Sequence, residues 1–175
     1  MNTNQLFNHM RKFCTRKHAQ YGVIPCDMLN NLRIYKYPVC LIVNSDTSEK
    51  SGEHWLAIFI KNKSSPVEFY DSYGLGAGFY ESYFTNFATR LQRKIQENVQ
   101  QLQSMNSNVC GNYALYFIYK RLLGHLPMSL YCNFSNDYKR NDEIVSKFLK
   151  FKCYLFQNNS QKCLQIVQNC TPFKR

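Results

Sequence analysis

The chain has 175 residues, of which 45% are hydrophobic and 15% aromatic, and its formal net charge is +11. This composition is that of a folded globular protein and excludes wholesale disorder. The length predicts a single domain spanning residues 1–175. The charge is compatible with a polyanionic partner such as nucleic acid and equally with a solvated basic surface. No apolar run suggests a signal peptide or a membrane-spanning helix, so we expect a protein that is neither secreted nor membrane-bound.

The chain contains eight cysteines, which raises the question of disulfides or a metal site. Without a secretion signal the thiols are expected to be reduced. No Cys-x-x-Cys pair and no histidine pair has metal-ligand spacing, so we expect no metal. Most of the cysteines other than Cys110 are predicted to be small buried apolar residues.

The first half of the chain predicts one helix and three strands. Thr3–Cys14 carries apolar residues on one helical face, and Val39–Val43 is a short apolar run typical of a buried strand. Trp55–Ile60 and Val67–Tyr70 are predicted to form a hairpin, because a polar turn-forming segment, 61–66, separates them.

The predicted hairpin brings together two reactive side chains. His54 precedes its first strand and Asp71 follows its second. If Ile60 faces Val67, Asp71 lies opposite Leu56, and His54 is then a diagonal neighbour of Asp71 on the same face. A register shifted by one residue would place them on opposite faces.

The second half predicts three helices. Residues 80–103 are predicted to be largely helical, because apolar residues recur there every four positions. Cys110–Leu123 is the clearest helix, with basic residues in its last turn and Gly124 after it. One of the polar residues 106–108 is expected to cap its start. The third predicted helix covers Asp142–Leu149, where Ile144, Val145, Phe148 and Leu149 are apolar.

Four side chains supply the groups that a cysteine peptidase needs. Cys110 begins a predicted helix, where free N–H groups and the helix dipole favour a thiolate. His54 would activate the thiol and later protonate the leaving amine, and Asp71 would orient the imidazole. Gln103 would donate its amide to the oxyanion together with the backbone N–H of Cys110. Gly111 is expected to leave room for the substrate carbonyl.

Each of these signals has a structural explanation when it is taken alone. A cysteine at a helix start, a histidine beside a tryptophan and an aspartate after a strand are more often packing or turn residues. Their joint occurrence, with a hairpin joining two of them, favours catalysis.

Three segments resemble the adenovirus maturation protease (adenain) family and, more distantly, the SUMO-specific proteases. They are Pro38–Asn44 followed by His54-Trp55, then Phe69–Gly74, and then Gln103–Gly111. The resemblance implies an α+β fold, in which helices flank a central mixed β-sheet and the nucleophilic cysteine begins a buried central helix. It also implies the same four catalytic residues.

The resemblance further implies a biological role. The family cleaves capsid and core precursor proteins during virion maturation, and its adenovirus members are activated by viral DNA and a short peptide. We therefore expect viral precursor polypeptides as substrates, viral double-stranded DNA as a partner, no organic cofactor, a monomer, and a location in the virion and host nucleus. Two departures stand out. Asp71 stands where adenovirus enzymes commonly have Glu. Gln92 stands where they have the cysteine that bonds the peptide, so disulfide anchoring there is not expected.

Two other functions remain open. A peptidase that deconjugates SUMO or another ubiquitin-like protein would use the same four residues, and that family prefers Asp as the acid. A basic DNA-binding protein with a vestigial site would bind duplex DNA in a salt-dependent manner without a reactive thiol.

Overall fold

A central five-stranded sheet organises the molecule. The computed structural model describes the backbone of residues 1–157 and the side chains of residues 1–150. The strands follow one another across the sheet in chain order and are β1 (Gln20–Pro25), β2 (Val39–Asn44), β3 (Trp55–Ile60), β4 (Val67–Tyr70) and β5 (Ile95–Glu97). The α-helices are α1 (Thr3–Cys14), α2 (Tyr83–Arg90), α3 (Cys110–Leu122), α4 (Pro127–Tyr131) and α5 (Tyr138–Gln157).

The sheet is mixed and is covered on both faces. The central strand β3 runs antiparallel to both of its neighbours, β2 and β4, whereas β1 pairs in parallel with β2 and β5 pairs in parallel with β4 at the two edges. Alternate side chains of β2 and β3 point into two separate apolar clusters, one shared with α1, α3 and α5 and the other with α2. Because β2 is buried on both faces, its residues Val39–Val43 form a continuous apolar run rather than an alternating one. The predicted α+β class with a mixed sheet and flanking helices is confirmed.

The elements that place the candidate site agree with the sequence predictions. The bounds of α1, β3 and β4 are the predicted ones, and β2 is one residue longer than predicted. Ala57 pairs with Tyr70 and Ile58 with Phe69, so the next pair along the ladder is Leu56 with Asp71. This is the register that the hairpin argument required.

The prediction of a long helix over residues 80–103 is wrong. The helix covers only Tyr83–Arg90, and the chain leaves it through Gln92, whose φ is 55°. Ile95–Glu97 then adds a strand at the sheet edge, beside β4. Pairing with an existing strand outweighs the four-residue periodicity, and Val99, the last residue of that periodic set, is 82% exposed.

The structure contains further elements that the sequence did not predict. These are the edge strand β1 and the short helix α4, and α5 begins at Tyr138 rather than at Asp142. Within residues 1–157, no helix combines the length and apolar character needed to cross a membrane. The prediction of a single domain over residues 1–175 reaches beyond the described part and stays a prediction.

The described cysteines form no disulfide with one another and are mostly buried. Cys14, Cys26 and Cys40 are buried as predicted, whereas Cys132 is exposed. The side chains of three further cysteines lie outside the described residues, at positions 153, 163 and 170.

Candidate active site

The predicted site residues meet at one end of the central hairpin. His54 immediately precedes β3 and Asp71 immediately follows β4, while Cys110 is the first residue of α3. All three are nearly enclosed, with exposed fractions of 7% for His54, 0% for Asp71 and 7% for Cys110. The antiparallel register of β3 and β4 brings the histidine and the acid together, and the packing of α3 against the sheet brings the thiol to them.

A short hydrogen bond joins the histidine to the acid. His54 Nε2 lies 2.7 Å from Asp71 Oδ1. The same carboxylate also accepts the backbone N–H groups of Tyr73 and Leu75, both at 2.9 Å, and the hydroxyl of Tyr80 at 2.8 Å. Burial alone would raise the pKa of Asp71, but the hydrogen bonds from His54 and from the backbone lower it. Asp71 is therefore a permanent anion at neutral pH.

The other imidazole nitrogen is available to the thiol. Because Nε2 faces Asp71, Nδ1 is the ring nitrogen left for the hydrogen bond between His54 and Cys110. Burial alone would lower the pKa of His54, but hydrogen bonds to Asp71 and Cys110 and their negative charges raise it to about 9. The histidine is therefore a cation at neutral pH.

The pKa of the Cys110 thiol shifts in the opposite direction to that of His54 and is lowered. Burial would raise the pKa of Cys110, but the hydrogen bond and positive charge of His54 lower it, helped by the backbone N–H groups of Trp55 and Gly111. A raised pKa for the histidine and a lowered one for the thiol together favour a thiolate–imidazolium pair.

The start of α3 supports the thiolate without a side-chain cap. Val109 is the N-cap residue and makes no capping hydrogen bond through its side chain. The prediction that one of residues 106–108 caps the helix is wrong, because these residues line or adjoin the cleft instead. At this helix start the backbone N–H of Gly111 hydrogen-bonds the Cys110 sulfur, whereas the N–H groups of Asn112 and Tyr113 donate to the Val109 carbonyl.

Gln103 is fully buried behind the cleft and held in one orientation. Its Oε1 accepts the Ser72 hydroxyl at 2.7 Å, and its Nε2 donates to the carbonyl of Ser107 at 2.9 Å. A carbonyl only accepts, so the atom facing Ser107 must be the amide nitrogen. Nε2 also makes a longer contact of 3.3 Å with the Tyr73 hydroxyl. Both Tyr73 and Ser107 line the cleft that contains Cys110, so the amide lies directly behind the wall of that cleft.

Sequence reasoning missed four supporting residues. Ser72 fixes Gln103, and Tyr80 donates to the Asp71 carboxylate. The side-chain amide of Asn98 holds the Asp71 backbone. It accepts the Asp71 N–H at 2.8 Å and donates to the Asp71 carbonyl at 2.6 Å. Tyr73 stacks its ring on that of His54, with centroids 4.7 Å apart. Ser72 and Tyr73 directly follow the acid and could have been suspected from that position. No pattern in the sequence links Asn98 to a residue 27 positions away.

Gly111 has a different role from the predicted one. A β-carbon at Gly111 would lie 3.1 Å from Leu6 of α1 and 3.5 Å from the Trp55 ring. The space beside this glycine is therefore filled by the protein and not by a substrate carbonyl. Its absence of a side chain lets α1 and α3 pack closely next to the thiol.

An open cleft gives access to the thiol. A cavity of about 440 Å³ is lined by Cys110, His54, Trp55 and Tyr73, among others. It adjoins a second cavity of about 600 Å³ that shares His54 and Tyr73 with it. An extended polypeptide could therefore lie across the site. Among the described residues, no group of three or more His, Cys, Asp or Glu side chains is arranged to hold a metal ion.

Comparison with known proteins identifies the fold. No family model and no curated protein matches the chain. Among solved structures, the crystal structure of the selenomethionine form of the ASFV pS273R protease is similar, with a TM-score of 0.60 and 13% identity, covering 81% of this chain and 66% of that one. A second crystal structure of that protease has a TM-score of 0.46 and 19% identity, over 63% of this chain and 44% of that one. The chain therefore has the fold of a viral protease and spans just under two thirds of its length, while membership of the adenain family stays a prediction.

Proposed function

We propose that the chain is a cysteine endopeptidase. Cys110 is the nucleophile, His54 the general base and acid, Asp71 the residue that orients the imidazole, and Gln103 the oxyanion donor. The observation that carries the proposal is the continuous chain of contacts from Asp71 through His54 to Cys110 at a helix start, with shifts in pKa that favour the thiolate–imidazolium pair. These groups supply nucleophile, acid, base and oxyanion donors from the protein itself, so we propose that no metal or organic cofactor is needed.

The geometry supports a two-step reaction. The Cys110 thiolate attacks the scissile carbonyl carbon, and the carbonyl oxygen becomes an oxyanion that accepts hydrogen bonds from the Cys110 backbone N–H and from Gln103. His54 Nδ1 gives its proton to the leaving amine, and the C–N bond breaks to leave a thioester. A water molecule then attacks the thioester as His54 takes its proton, and the thiolate leaves.

The contacts of Gln103 fit the oxyanion role. One N–H of its amide is held by the Ser107 carbonyl at 2.9 Å, whereas the other has only the 3.3 Å contact with the Tyr73 hydroxyl. That weaker contact can be exchanged for a substrate oxyanion at little cost. The donor is thus oriented before substrate binds, which is the condition under which such donors are most effective.

We further propose that the substrates are viral precursor polypeptides cleaved during virion maturation, by a monomeric enzyme located in the virion and host nucleus. The likeness in fold to a viral protease and the segment resemblance to the adenovirus enzymes support this. Viral double-stranded DNA is the proposed activating partner, and the net charge of +11 is compatible with it. A peptide activator, if used, would bind without a disulfide at Gln92.

Deconjugation of a ubiquitin-like protein is the second candidate, favoured by one observation. The acid is Asp71 and not the Glu common in adenovirus enzymes, and its four hydrogen bonds suit the shorter side chain. Faster hydrolysis of SUMO or ubiquitin conjugates than of capsid-type peptides would support this candidate.

The test of the peptidase proposal is cleavage of a peptide library by wild type, Cys110→Ala and Cys132→Ala, with and without added duplex DNA. Cys132 is an exposed thiol outside the cleft and provides the matched control. We expect Cys110→Ala to abolish cleavage while the protein stays folded, and Cys132→Ala to retain wild-type turnover. Wild-type turnover by Cys110→Ala would exclude this cysteine as the nucleophile.

A further inference from the structure

The cavity beside the cleft that contains Cys110 is lined by acidic and apolar side chains, although the chain as a whole is basic. We call it the flanking groove and define it by Asp46, Glu53 and Glu81 together with Leu75, Phe79 and Met105. It shares Glu53, His54 and Tyr73 with the cleft that contains the thiol, so Glu53 lies where the two cavities meet and a polypeptide bound at the thiol extends directly into the groove.

The charge of the flanking groove is opposite to that of the chain. The chain has 22 Lys and Arg against 11 Asp and Glu, yet three acids and no Lys or Arg line this cavity. Asp46 is partly neutralised by Lys50, whose Nζ lies 3.7 Å from its carboxylate. Within the described part of the chain, Glu53 and Glu81 form no salt bridge. A local negative potential is therefore maintained next to the catalytic histidine.

The same groove exposes apolar side chains. Leu75 is 47% exposed, Phe79 is 66% exposed and Met105 is 68% exposed. A contiguous exposed apolar area next to charged groups is typical of a binding surface, because covering it removes apolar area from water.

The wall of the flanking groove is held in place by the catalytic acid. The Asp71 carboxylate accepts the backbone N–H of Leu75 and the hydroxyl of Tyr80, and the backbone N–H of Ala77 donates to Glu97 at 2.7 Å. A wall anchored at these points is ordered before a ligand arrives, which lowers the entropic cost of binding.

We infer that the flanking groove binds a stretch of substrate polypeptide in which a lysine or arginine lies close to an apolar residue, with Glu53 and Glu81 as specificity-determining residues. The inference rests on the proposed peptidase function. The two carboxylates pair with the cationic side chain, and Leu75, Phe79 and Met105 cover the apolar one. Basic polypeptides are repelled by the protein as a whole, so this local reversal of charge selects where along such a polypeptide cleavage takes place.

The test uses a peptide mixture made by digesting proteins after glutamate. This digestion leaves lysine and arginine inside the peptides. New ends are sequenced after incubation with wild type, with Glu53→Gln/Glu81→Gln, and with Glu49→Gln/Glu143→Gln. The last variant loses the same two charges at exposed positions outside the groove. Cys110→Ala is the blank. One cleaved peptide is then resynthesised with its nearby lysine replaced by glutamine.

For wild type and the control variant, we expect lysine or arginine to occur near the cleaved bonds more often than in the peptide mixture as a whole. We also expect them to prefer the lysine peptide by about fivefold in kcat/KM, as a few-fold effect per exposed ion pair would give. The preference should weaken at high salt and disappear in Glu53→Gln/Glu81→Gln. Cleavage without a lysine preference, or a preference that survives in that variant, would overturn the groove inference alone. No cleavage by wild type above the blank would instead overturn the peptidase proposal and the inference that rests on it.

Discussion

Asp71 is the residue on which the charges of the site depend. Its carboxylate is fully buried and accepts four hydrogen bonds, three of which come from groups other than His54. The buried anion fixes Nε2 of His54 as a donor and leaves Nδ1 to the thiol. Asn98 holds the backbone of the same residue from both sides, so the acid cannot move away from the histidine without breaking several contacts.

Substitutions at Gln103 and Ser72 should reveal the oxyanion donor and the residue that positions it. We expect Gln103→Ala to lower kcat by roughly 100-fold or more, because a side-chain donor to the oxyanion is lost. Ser72→Ala should give a smaller loss in kcat with little change in KM, since it frees the amide to rotate but leaves it present. Steady-state kinetics on a cleaved peptide measures both. A loss of under threefold in Gln103→Ala would show that other groups hold the oxyanion.

The β3–β4 hairpin and helix α3 are the elements that bring the site together. The hairpin could be predicted because two apolar runs, Trp55–Ile60 and Val67–Tyr70, flank a polar segment and fix both strand ends. Helix α3 could be predicted from its apolar spacing and its terminal Gly124. The edge strand β5 could not be predicted. Its three residues are too few to show a recognisable pattern, and their conformation is set by pairing with β4.

The contacts around the site were harder to predict than its four principal residues. His54, Asp71, Gln103 and Cys110 could be picked out because their chemistry is distinctive and their segments resemble a known family. Ser72, Tyr80 and Asn98 act through hydrogen bonds that arise only when distant segments of the chain pack together. The four catalytic roles themselves stay predictions until activity is measured.

Removing the hydroxyl group should affect the free energy of unfolding differently at two buried tyrosines on neighbouring elements. Tyr113 of α3 contacts the Leu102 carbonyl at 3.0 Å and Asp142 at 2.9 Å. Tyr70 of β4 stacks on Phe117 with centroids 4.6 Å apart, but its buried hydroxyl has no partner among the described residues.

We expect Tyr113→Phe to lower the free energy of unfolding by about 1–3 kcal/mol, because the hydrogen bond of its hydroxyl to the charged Asp142 carboxylate is lost. Tyr70→Phe should leave it unchanged or raise it, since an unpaired hydroxyl is removed and the ring stack is kept. Urea denaturation of the two variants beside wild type measures the difference. A Tyr70→Phe protein as destabilised as Tyr113→Phe would show that the Tyr70 hydroxyl has a partner in solution.

At the scale of the whole molecule, the acidic lining of the flanking groove contrasts with the net charge of +11. A DNA partner would be attracted by the net charge of +11, while the groove beside the thiol would attract cationic side chains of a substrate. The two proposed ligands therefore do not compete for the same charges.

If DNA is a partner, its affinity should fall steeply with salt. Each phosphate neutralised contributes about 0.9 to the slope of log affinity against log salt, because condensed counterions are released on binding. Titration of labelled duplex DNA at several salt concentrations measures this slope. A flat dependence would mean that the positive charge is only a solvated surface.

The most direct test of the central claim is the rate of thiol alkylation at pH 6, mapped by mass spectrometry in wild type and His54→Ala. At pH 6 an ordinary thiol is almost entirely protonated, whereas His54, with a pKa near 9, is still a cation and stabilises the Cys110 thiolate. Exposed Cys132 provides the internal reference within the same molecule. As pH rises through 9, His54 loses its proton and ordinary thiols ionise, so any advantage of Cys110 should shrink.

We expect Cys110, although it is nearly buried, to react at least about tenfold faster than Cys132 at pH 6, and His54→Ala to remove that advantage. This result would establish the activated pair without any knowledge of the substrate. A Cys110 that reacts no faster than Cys132 at pH 6, with or without duplex DNA, would contradict the account.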